Sequence, residues 1–260
     1  MASAFLLDMS RCIGCEACVV ACKAGNELPE GRQYIELIEQ TTGTFPDLTG
    51  GFQNHRCYHC SDATCVAVCP TGALFKEDGL TRLDRDACSG CGYCVQSCPY
   101  GVPKMSDGRS SKCDACASNV GAGGSPWCVG TCPGKALEYG LREEILAEAN
   151  KRVAALKDRY PKAQVYGETQ AGGLGLILVL PDDPETLDIP TDPPPTPQVA
   201  NVWKNWVQPI SMGSTAVTVA GLGVLGVMAR RNHLAEMKEI EEKQNAAAST
   251  GGTEGGRENA

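Results

Sequence analysis

Beyond about residue 140 the apolar positions of this chain fall into regular patterns. Through Arg142-Glu143-Glu144-Ile145-Leu146-Ala147-Glu148-Ala149-Asn150-Lys151-Arg152-Val153-Ala154-Ala155-Leu156-Lys157 they recur at helical spacing opposite a charged face, which predicts an amphipathic helix. Gln164-Val165-Tyr166-Gly167 and Leu174 to Leu180 read as two short strands split by a turn at Gly172-Gly173. Upstream, Thr71-Gly72-Ala73-Leu74 through Gly79-Leu80-Thr81-Arg82-Leu83 reads as a strand, a turn at Asp78-Gly79 and a return strand. From Pro181 to Pro197, seven prolines and five acidic residues predict an extended linker stiffened toward polyproline geometry. There the chain is expected to leave its globular part.

The linker leads to 25 residues without a charge, between Lys204 and Arg230. Val207 to Ala229 is long enough for a hydrocarbon core, which takes about 20 residues to cross, so one transmembrane helix is predicted. Trp203 and Trp206 would form its interfacial belt. Gly213, Gly221, Gly223 and Gly226, with Ser214 and Thr218, offer a small-residue face to a partner helix. A buried soluble helix suits this composition poorly, since each interior glycine costs about 1 kcal/mol against alanine. The tail from Asn245 to Ala260, rich in Ala, Gly, Ser, Thr and Glu, predicts disorder.

The first half of the chain is organised by cysteine. All sixteen cysteines lie between Cys12 and Cys132, in four groups: Cys12-x2-Cys15-x2-Cys18-x3-Cys22, Cys57-x2-Cys60-x4-Cys65-x3-Cys69, Cys88-x2-Cys91-x2-Cys94-x3-Cys98 and Cys113-x2-Cys116-x11-Cys128-x3-Cys132. The first and third match the bacterial ferredoxin run for 4Fe-4S clusters, and the others are spacing variants of it. Three cysteines on a tight loop wrap one cluster, while the fourth has entered a helix and reaches the neighbouring one. Proline after it, in Cys69-Pro70, Cys98-Pro99 and Cys132-Pro133, turns the chain away; Lys23 follows Cys22 instead. Sixteen cysteines predict four 4Fe-4S clusters.

The hairpin between Cys69 and Cys88 makes groups two and three one ferredoxin unit. Cys132-Pro133-Gly134-Lys135-Ala136-Leu137 repeats Cys69-Pro70-Thr71-Gly72-Ala73-Leu74, so a duplication is visible with one unit inserted in the other, and groups one and four pair across the insertion. The expected ligand sets are Cys12, Cys15, Cys18 and Cys132; Cys22, Cys113, Cys116 and Cys128; Cys57, Cys60, Cys65 and Cys98; and Cys69, Cys88, Cys91 and Cys94. Pairing group one with two and three with four is the alternative. The fold class is α+β: duplicated ferredoxin-like dicluster units plus one C-terminal transmembrane helix. The expected division is a four-cluster domain at 1–140 with an inner unit at about 52–104, a helix and short strands at 141–180, a linker at 181–202, a transmembrane helix at 203–231 and a cytoplasmic, largely disordered tail at 232–260.

Other readings of the cysteines fit less well. Recurring loops of two intervening residues in quartets suit metal better than disulfides. Zinc sites also use Cys-x2-Cys, but zinc explains neither the third regularly spaced cysteine nor the trailing Cys-Pro. His59 is a further candidate ligand, or a hydrogen-bonding or packed loop residue. Trp127, Tyr93 and Tyr100 are expected to exclude water near the clusters. Gly14, Gly90 and Gly92 either let amides approach the sulphurs or simply satisfy tight turns. A net charge of -8 argues against nucleic-acid binding, which calls for a basic footprint. No Gly-x4-Gly-Lys-Ser/Thr or Gly-x-Gly-x2-Gly motif marks a nucleotide site, and no catalytic constellation is evident.

The four cysteine groups, Cys57-Tyr58-His59-Cys60, the stretch Gly90-Cys91-Gly92-Tyr93-Cys94, the helix ending Arg152-Val153-Ala154-Ala155-Leu156-Lys157 and the tryptophan-flanked span after a proline-rich linker resemble the beta subunit of membrane-bound formate dehydrogenase. The resemblance covers almost the whole chain. It implies a non-catalytic electron-transfer subunit between an alpha subunit holding a molybdenum or tungsten bis-molybdopterin and a membrane cytochrome b gamma subunit that serves quinone. Similar four-cluster subunits serve hydrogenases and other molybdopterin oxidoreductases, so the cysteines alone name only the superfamily. The segment after the clusters and the single span discriminate.

Flanking charge predicts orientation. Arg230, Arg231, Lys238 and Lys243 follow the span and only Lys204 immediately precedes it, which places the C-terminus in the cytoplasm and the cluster domain on the outer face of the cell membrane. Met1 to Ser10 has neither the basic region nor the apolar core of a signal peptide, so export alongside a signal-bearing partner is expected.

Overall fold

Along the first strand, β1 (Ser3–Asp8), the side chains Ala4 and Leu6 point to one face and Phe5 and Leu7 to the other, and all four are buried. A strand buried on both faces needs a layer on each side. The computed structural model describes residues 2–197, 200 and 202–250, which divide into two units, Met1–Lys204 and Asn205–Ala260. In chain order the first unit continues with α1 (Ala17–Gly25), β2 (Glu36–Thr44), β3 (Asp47–His55), α2 (Thr64–Ala67), β4 (Leu74–Glu77), β5 (Leu80–Leu83), α3 (Tyr93–Ser97), β6 (Lys104–Ser106), β7 (Arg109–Ser111), α4 (Ala117–Gly121), α5 (Trp127–Gly130), β8 (Leu137–Leu141), α6 (Arg142–Leu156), β9 (Gln164–Tyr166) and β10 (Leu176–Leu180).

Strands β8, β1, β10 and β9 form a sheet in that order. β1 runs parallel to β10 and antiparallel to β8, with β9 antiparallel at the far edge. Helix α6 covers one face, where Ile145 and Ala149 pack on Ala4, Leu6, Ile177 and Val179. The other face, with Phe5, Leu7, Leu176, Leu178 and Leu180, meets the cysteine loops. Arg152, 5% exposed, ties helix to sheet through ion pairs with Asp8, Glu138 and Glu148. The remaining strands form three hairpins, β2–β3, β4–β5 and β6–β7.

The helix predicted over 142–157 is α6, and the hairpin with its turn at Asp78-Gly79 is β4–β5. The predicted strands at 164–167 and 174–180 are β9 and β10, shortened at their ends. β1, β2, β3, β6, β7 and β8 carry no periodic signal strong enough to be anticipated.

The proline-rich segment departs from expectation. Instead of leaving the domain it lies on it, with Pro184, Leu187, Ile189 and Thr196 buried. Leu187 and Ile189 join the core that holds the cysteine loops. The Tyr166 hydroxyl donates to Pro190 O at 2.5 Å, and Thr196 N donates to Asp62 Oδ2 at 2.9 Å. Two apolar side chains in a polar segment decide this, because prolines have little chain entropy left to lose on docking.

A π-helical turn at Trp203–Val207 opens the predicted span, and the second unit continues as helix α7 (Gln208–Thr250). α7 is long and apolar enough to cross a membrane. Its large apolar side chains, among them Val217, Val219, Leu222 and Leu225, are exposed within the chain. Helix also extends through residues 232–250, into the segment expected to be largely disordered. Its Ala, Glu, Lys and Gln residues are strong helix formers, and Lys243 pairs with Glu239 one turn away. The rest of that expected tail, 251–260, lies outside the described residues.

Candidate iron-sulphur sites

Two strand pairings bring distant cysteines together in the same way. β1 pairs with β8 at Leu7↔Leu137, and Cys12 and Cys132 lie equal distances in sequence beyond that pair. β4 pairs with β5 at Leu74↔Leu83, and Cys69 and Cys88 stand in the same relation to it. The repeated Cys-Pro segments therefore end in equivalent strands. A third tie comes from the chain near 171–176, where Ser61 N donates to Gly173 O at 2.8 Å and Leu176 N to Tyr58 O at 3.1 Å.

Twelve of the sixteen cysteines line three cavities, four to each. One cavity of about 380 Å³ is lined by Cys12, Cys15, Cys18 and Cys132. A second, of about 470 Å³, is lined by Cys57, Cys60, Cys65 and Cys98. A third, of about 320 Å³, is lined by Cys69, Cys88, Cys91 and Cys94. The remaining four are joined by two side chains: Asn26 Nδ2 lies 3.5 Å from Cys22 Sγ and 3.8 Å from Cys116 Sγ, while Arg56 reaches Cys128 Sγ at 3.1 Å and Cys113 Sγ at 4.0 Å. None of these three cavities is lined by cysteines of groups one and two together or of three and four together.

In all four groups the second residue inside the first Cys-x2-Cys is left-handed: Gly14 (φ 69°), His59 (φ 51°), Gly90 (φ 74°) and Ala115 (φ 61°). At Gly90 a Cβ would lie 2.1 Å from the Gly108 carbonyl oxygen, so both conformation and space require glycine there. Such turns aim amides inward. Ala115 N donates to Cys113 Sγ at 3.4 Å, and Ala136 N and Ser110 N donate to Cys132 and Cys88 at 3.3 and 3.4 Å. Asn54 Nδ2 donates to Cys18 Sγ at 3.0 Å.

Burial acts first on most of these thiols and neighbouring cysteines add to it. Cys18 is pushed up to about 11 by burial and then by Cys128, and Cys65 up to about 12 by burial and then by Cys57. Burial also holds Cys113 at about 12, although Arg56 opposes it. Cys69 is the exception: burial raises it, but the Leu74 amide, the Thr71 hydroxyl and the Thr71 and Gly72 amides outweigh burial and lower it. Thiolates this crowded need cations among them.

The residues fit thiolate-bound 4Fe-4S clusters. Three of the donor sets each line a common cavity, and the fourth is joined through Asn26 and Arg56. Among the described residues no three His, Cys, Asp or Glu side chains are arranged to hold a single metal ion, as zinc would require. Arg56 and Lys112, 1% and 2% exposed, make no ion pair with a carboxylate among the described residues. Anionic clusters would balance these buried cations.

His59 is not on the wall of the cavity formed by its neighbours. Its Nδ1 accepts from Thr81 N at 3.1 Å. Burial, together with Lys112, Arg56, Lys76 and Arg82, holds it well below the usual imidazole range. Tyr100 is buried, stacked on Tyr58 with ring centroids 3.9 Å apart. Tyr93 and Trp127 are 55% and 40% exposed, so within this chain neither seals its neighbouring cysteines from water as expected. Arg56, Lys112, Asn26 and Asn54 went unnoticed in the sequence. Only the adjacency of Arg56 to Cys57 and of Lys112 to Cys113 hinted at any of them.

The sets also adjoin one another. Cys18 of the first feels the charge of Cys128 in the second, Cys113 of the second that of Cys57 in the third, and Cys65 of the third that of Cys94 in the fourth. The two exposed cysteines, Cys15 and Cys91, belong to the first and fourth sets.

Two family profiles, each described as a 4Fe-4S dicluster domain, match residues 11–73 and 48–142. Over 84% of its length the chain is 33% identical to the nitrate-inducible formate dehydrogenase iron-sulfur subunit of Escherichia coli K12, spanning 82% of that protein. It is 30% identical, over 92% of this chain and 89% of the relative, to the formate dehydrogenase-O iron-sulfur subunit of the same organism. The thiosulfate reductase electron transfer subunit PhsB of Salmonella typhi is 42% identical over 54% of this chain and 76% of its own length. Cysteine sets that suit 4Fe-4S clusters, dicluster profiles over the same region and likeness that continues past it agree: the chain belongs to the family of formate dehydrogenase iron-sulfur subunits.

Proposed function

We propose that the four cysteine sets hold four 4Fe-4S clusters in two dicluster units, one inserted in the other. In this reading the chain is the electron-transfer subunit between a molybdopterin formate dehydrogenase catalytic subunit and a membrane cytochrome b that serves quinone. When bound, such clusters supply one-electron redox centres with potentials between roughly -700 and +450 mV. The observation that carries the reading is the row of adjoining sets, with an exposed cysteine in each outer set. A row suits transfer from end to end; separate structural sites have no need of one.

The chain's own residues would hold and tune this row. The cysteines fix the sets, the inward amides and Asn26, Asn54 and Arg56 donate to sulphur, and the Phe5–Leu7 face of the sheet excludes water. Helix α7 would anchor the chain through Trp203 and Trp206, with its basic flank in the cytoplasm and the cluster domain on the outer side of the membrane. The small-residue face of α7 suits packing against the cytochrome helices.

Higher identity to PhsB over the shorter stretch favours a second reading, the equivalent subunit of another oxidoreductase. Likeness to the formate subunits over 84% and 92% of the chain favours formate, because it includes the segments that discriminate. The test is co-purification from native membranes. Formate should reduce the clusters of the recovered complex, and the isolated chain should not oxidise formate. Recovery with a nickel-iron hydrogenase, and reduction by hydrogen but not by formate, would overturn the formate assignment.

A further inference from the structure

Charged donors are distributed unequally among the cysteine sets. Neutral groups serve the first set, Asn54 at 3.0 Å from Cys18 Sγ and Ala136 N at 3.3 Å from Cys132 Sγ. Neutral groups also serve the fourth: Ser110 Oγ is 3.3 Å from Cys94 Sγ, Ser110 N is 3.4 Å from Cys88 Sγ, and Thr71 Oγ1 is 3.8 Å from Cys69 Sγ. Lys112 lines the third cavity, but its ammonium donates to the backbone oxygens of Thr81 and Cys113 at 2.6 and 2.8 Å. Among the described residues only Arg56 directs a full charge at cysteine sulphur, at 3.1 Å from Cys128 and 4.0 Å from Cys113.

The surroundings hold that guanidinium in place. It is fully buried and packs over the Phe5 ring, 4.1 Å from the centroid, and Phe5 is fixed in the central sheet. Among the described residues Arg56 has no carboxylate partner to offset its charge, and salt does not screen it at this depth. A guanidinium stays protonated whatever its surroundings. Reduction adds negative charge, so a fixed cation beside the sulphurs stabilises the reduced state more than the oxidised one.

We propose that Arg56 is a positioning residue that raises the reduction potential of one cluster above the others, the one assigned to Cys22, Cys113, Cys116 and Cys128, whose sulphurs it contacts directly. That cluster is second in the row and would hold an electron more readily than it would without Arg56. The inference rests on the cluster assignment above, and the experiment separates the two.

The test uses the full complex in membranes, with wild-type, Arg56→Gln and Arg56→Lys chains. Iron and acid-labile sulphide are measured, followed by redox titration monitored by electron paramagnetic resonance, the signal being assigned through its loss in Cys22→Ala. Arg56→Gln keeps donors but removes the charge. It is expected to retain iron and to lower the reduced-to-oxidised ratio of the Cys22-dependent signal about tenfold at fixed poise, equivalent to about 59 mV for one electron. The other three signals should shift by clearly less. Arg56→Lys keeps the charge without the two-pronged reach, and a smaller shift of the same signal is expected. If the glutamine variant fails to assemble, the lysine variant decides. Fully loaded variants with unchanged midpoints, or with all signals shifted together, would overturn the role of Arg56. A wild-type chain without iron and sulphide would overturn the cluster assignment beneath it.

Discussion

Cys22 separates the two ways of pairing the cysteine groups. It is close in sequence to Cys18, yet its surroundings are Cys113, Cys128 and Cys116, with Asn26 bridging to Cys116 Sγ. Cys22→Ala should therefore abolish the same paramagnetic signal as Cys116→Ala and leave the signal lost in Cys15→Ala largely intact. Matching losses in Cys22→Ala and Cys15→Ala would refute the crossed ligand sets. The quartets were legible at this scale because cysteine spacing is a local constraint. Arg56 was not, because a charge acquires its meaning from what surrounds it after folding: here Phe5, Cys113 and Cys128, none of them near in sequence.

Among the elements, α6 and the β4–β5 hairpin were legible because each carries its own period or turn. β1 was not, since a strand with five of its six residues buried, on both faces, shows little alternation of polarity. The proline-rich segment was misread because composition describes its stiffness and not where Leu187 and Ile189 go. Ile189 is 2% exposed, so Ile189→Ala should cost about 2–5 kcal/mol. The measurement is the urea concentration at which the cluster chromophore bleaches, compared with that of Asp192→Ala at an exposed neighbouring site. A linker free in solvent would give the two variants the same midpoint.

For the whole molecule, the chain purified without oxygen should contain on the order of sixteen iron and sixteen sulphide, four of each per cluster. Stoichiometric zinc without acid-labile sulphide would sink the assignment. Orientation has its own test. A C-terminal tag should resist protease added to intact cells, because Arg230, Arg231, Lys238 and Lys243 follow the span. External cleavage of the tag would reverse the assigned topology.

The sequence by itself determined the features that depend on near neighbours: cysteine spacing suited to 4Fe-4S clusters, the Cys-Pro repeat, the amphipathic helix and an uncharged stretch long enough for a bilayer. The tertiary structure decided what depends on residues far apart in the chain. It set Leu7 opposite Leu137 and Leu74 opposite Leu83, so that strand register gathers the cysteines of separate groups. It also folded the proline-rich segment onto the core and buried the Arg56 guanidinium against the sulphurs of Cys113 and Cys128. Spacing is encoded along the backbone, whereas register, burial and the field around a charge arise only when distant segments pack together.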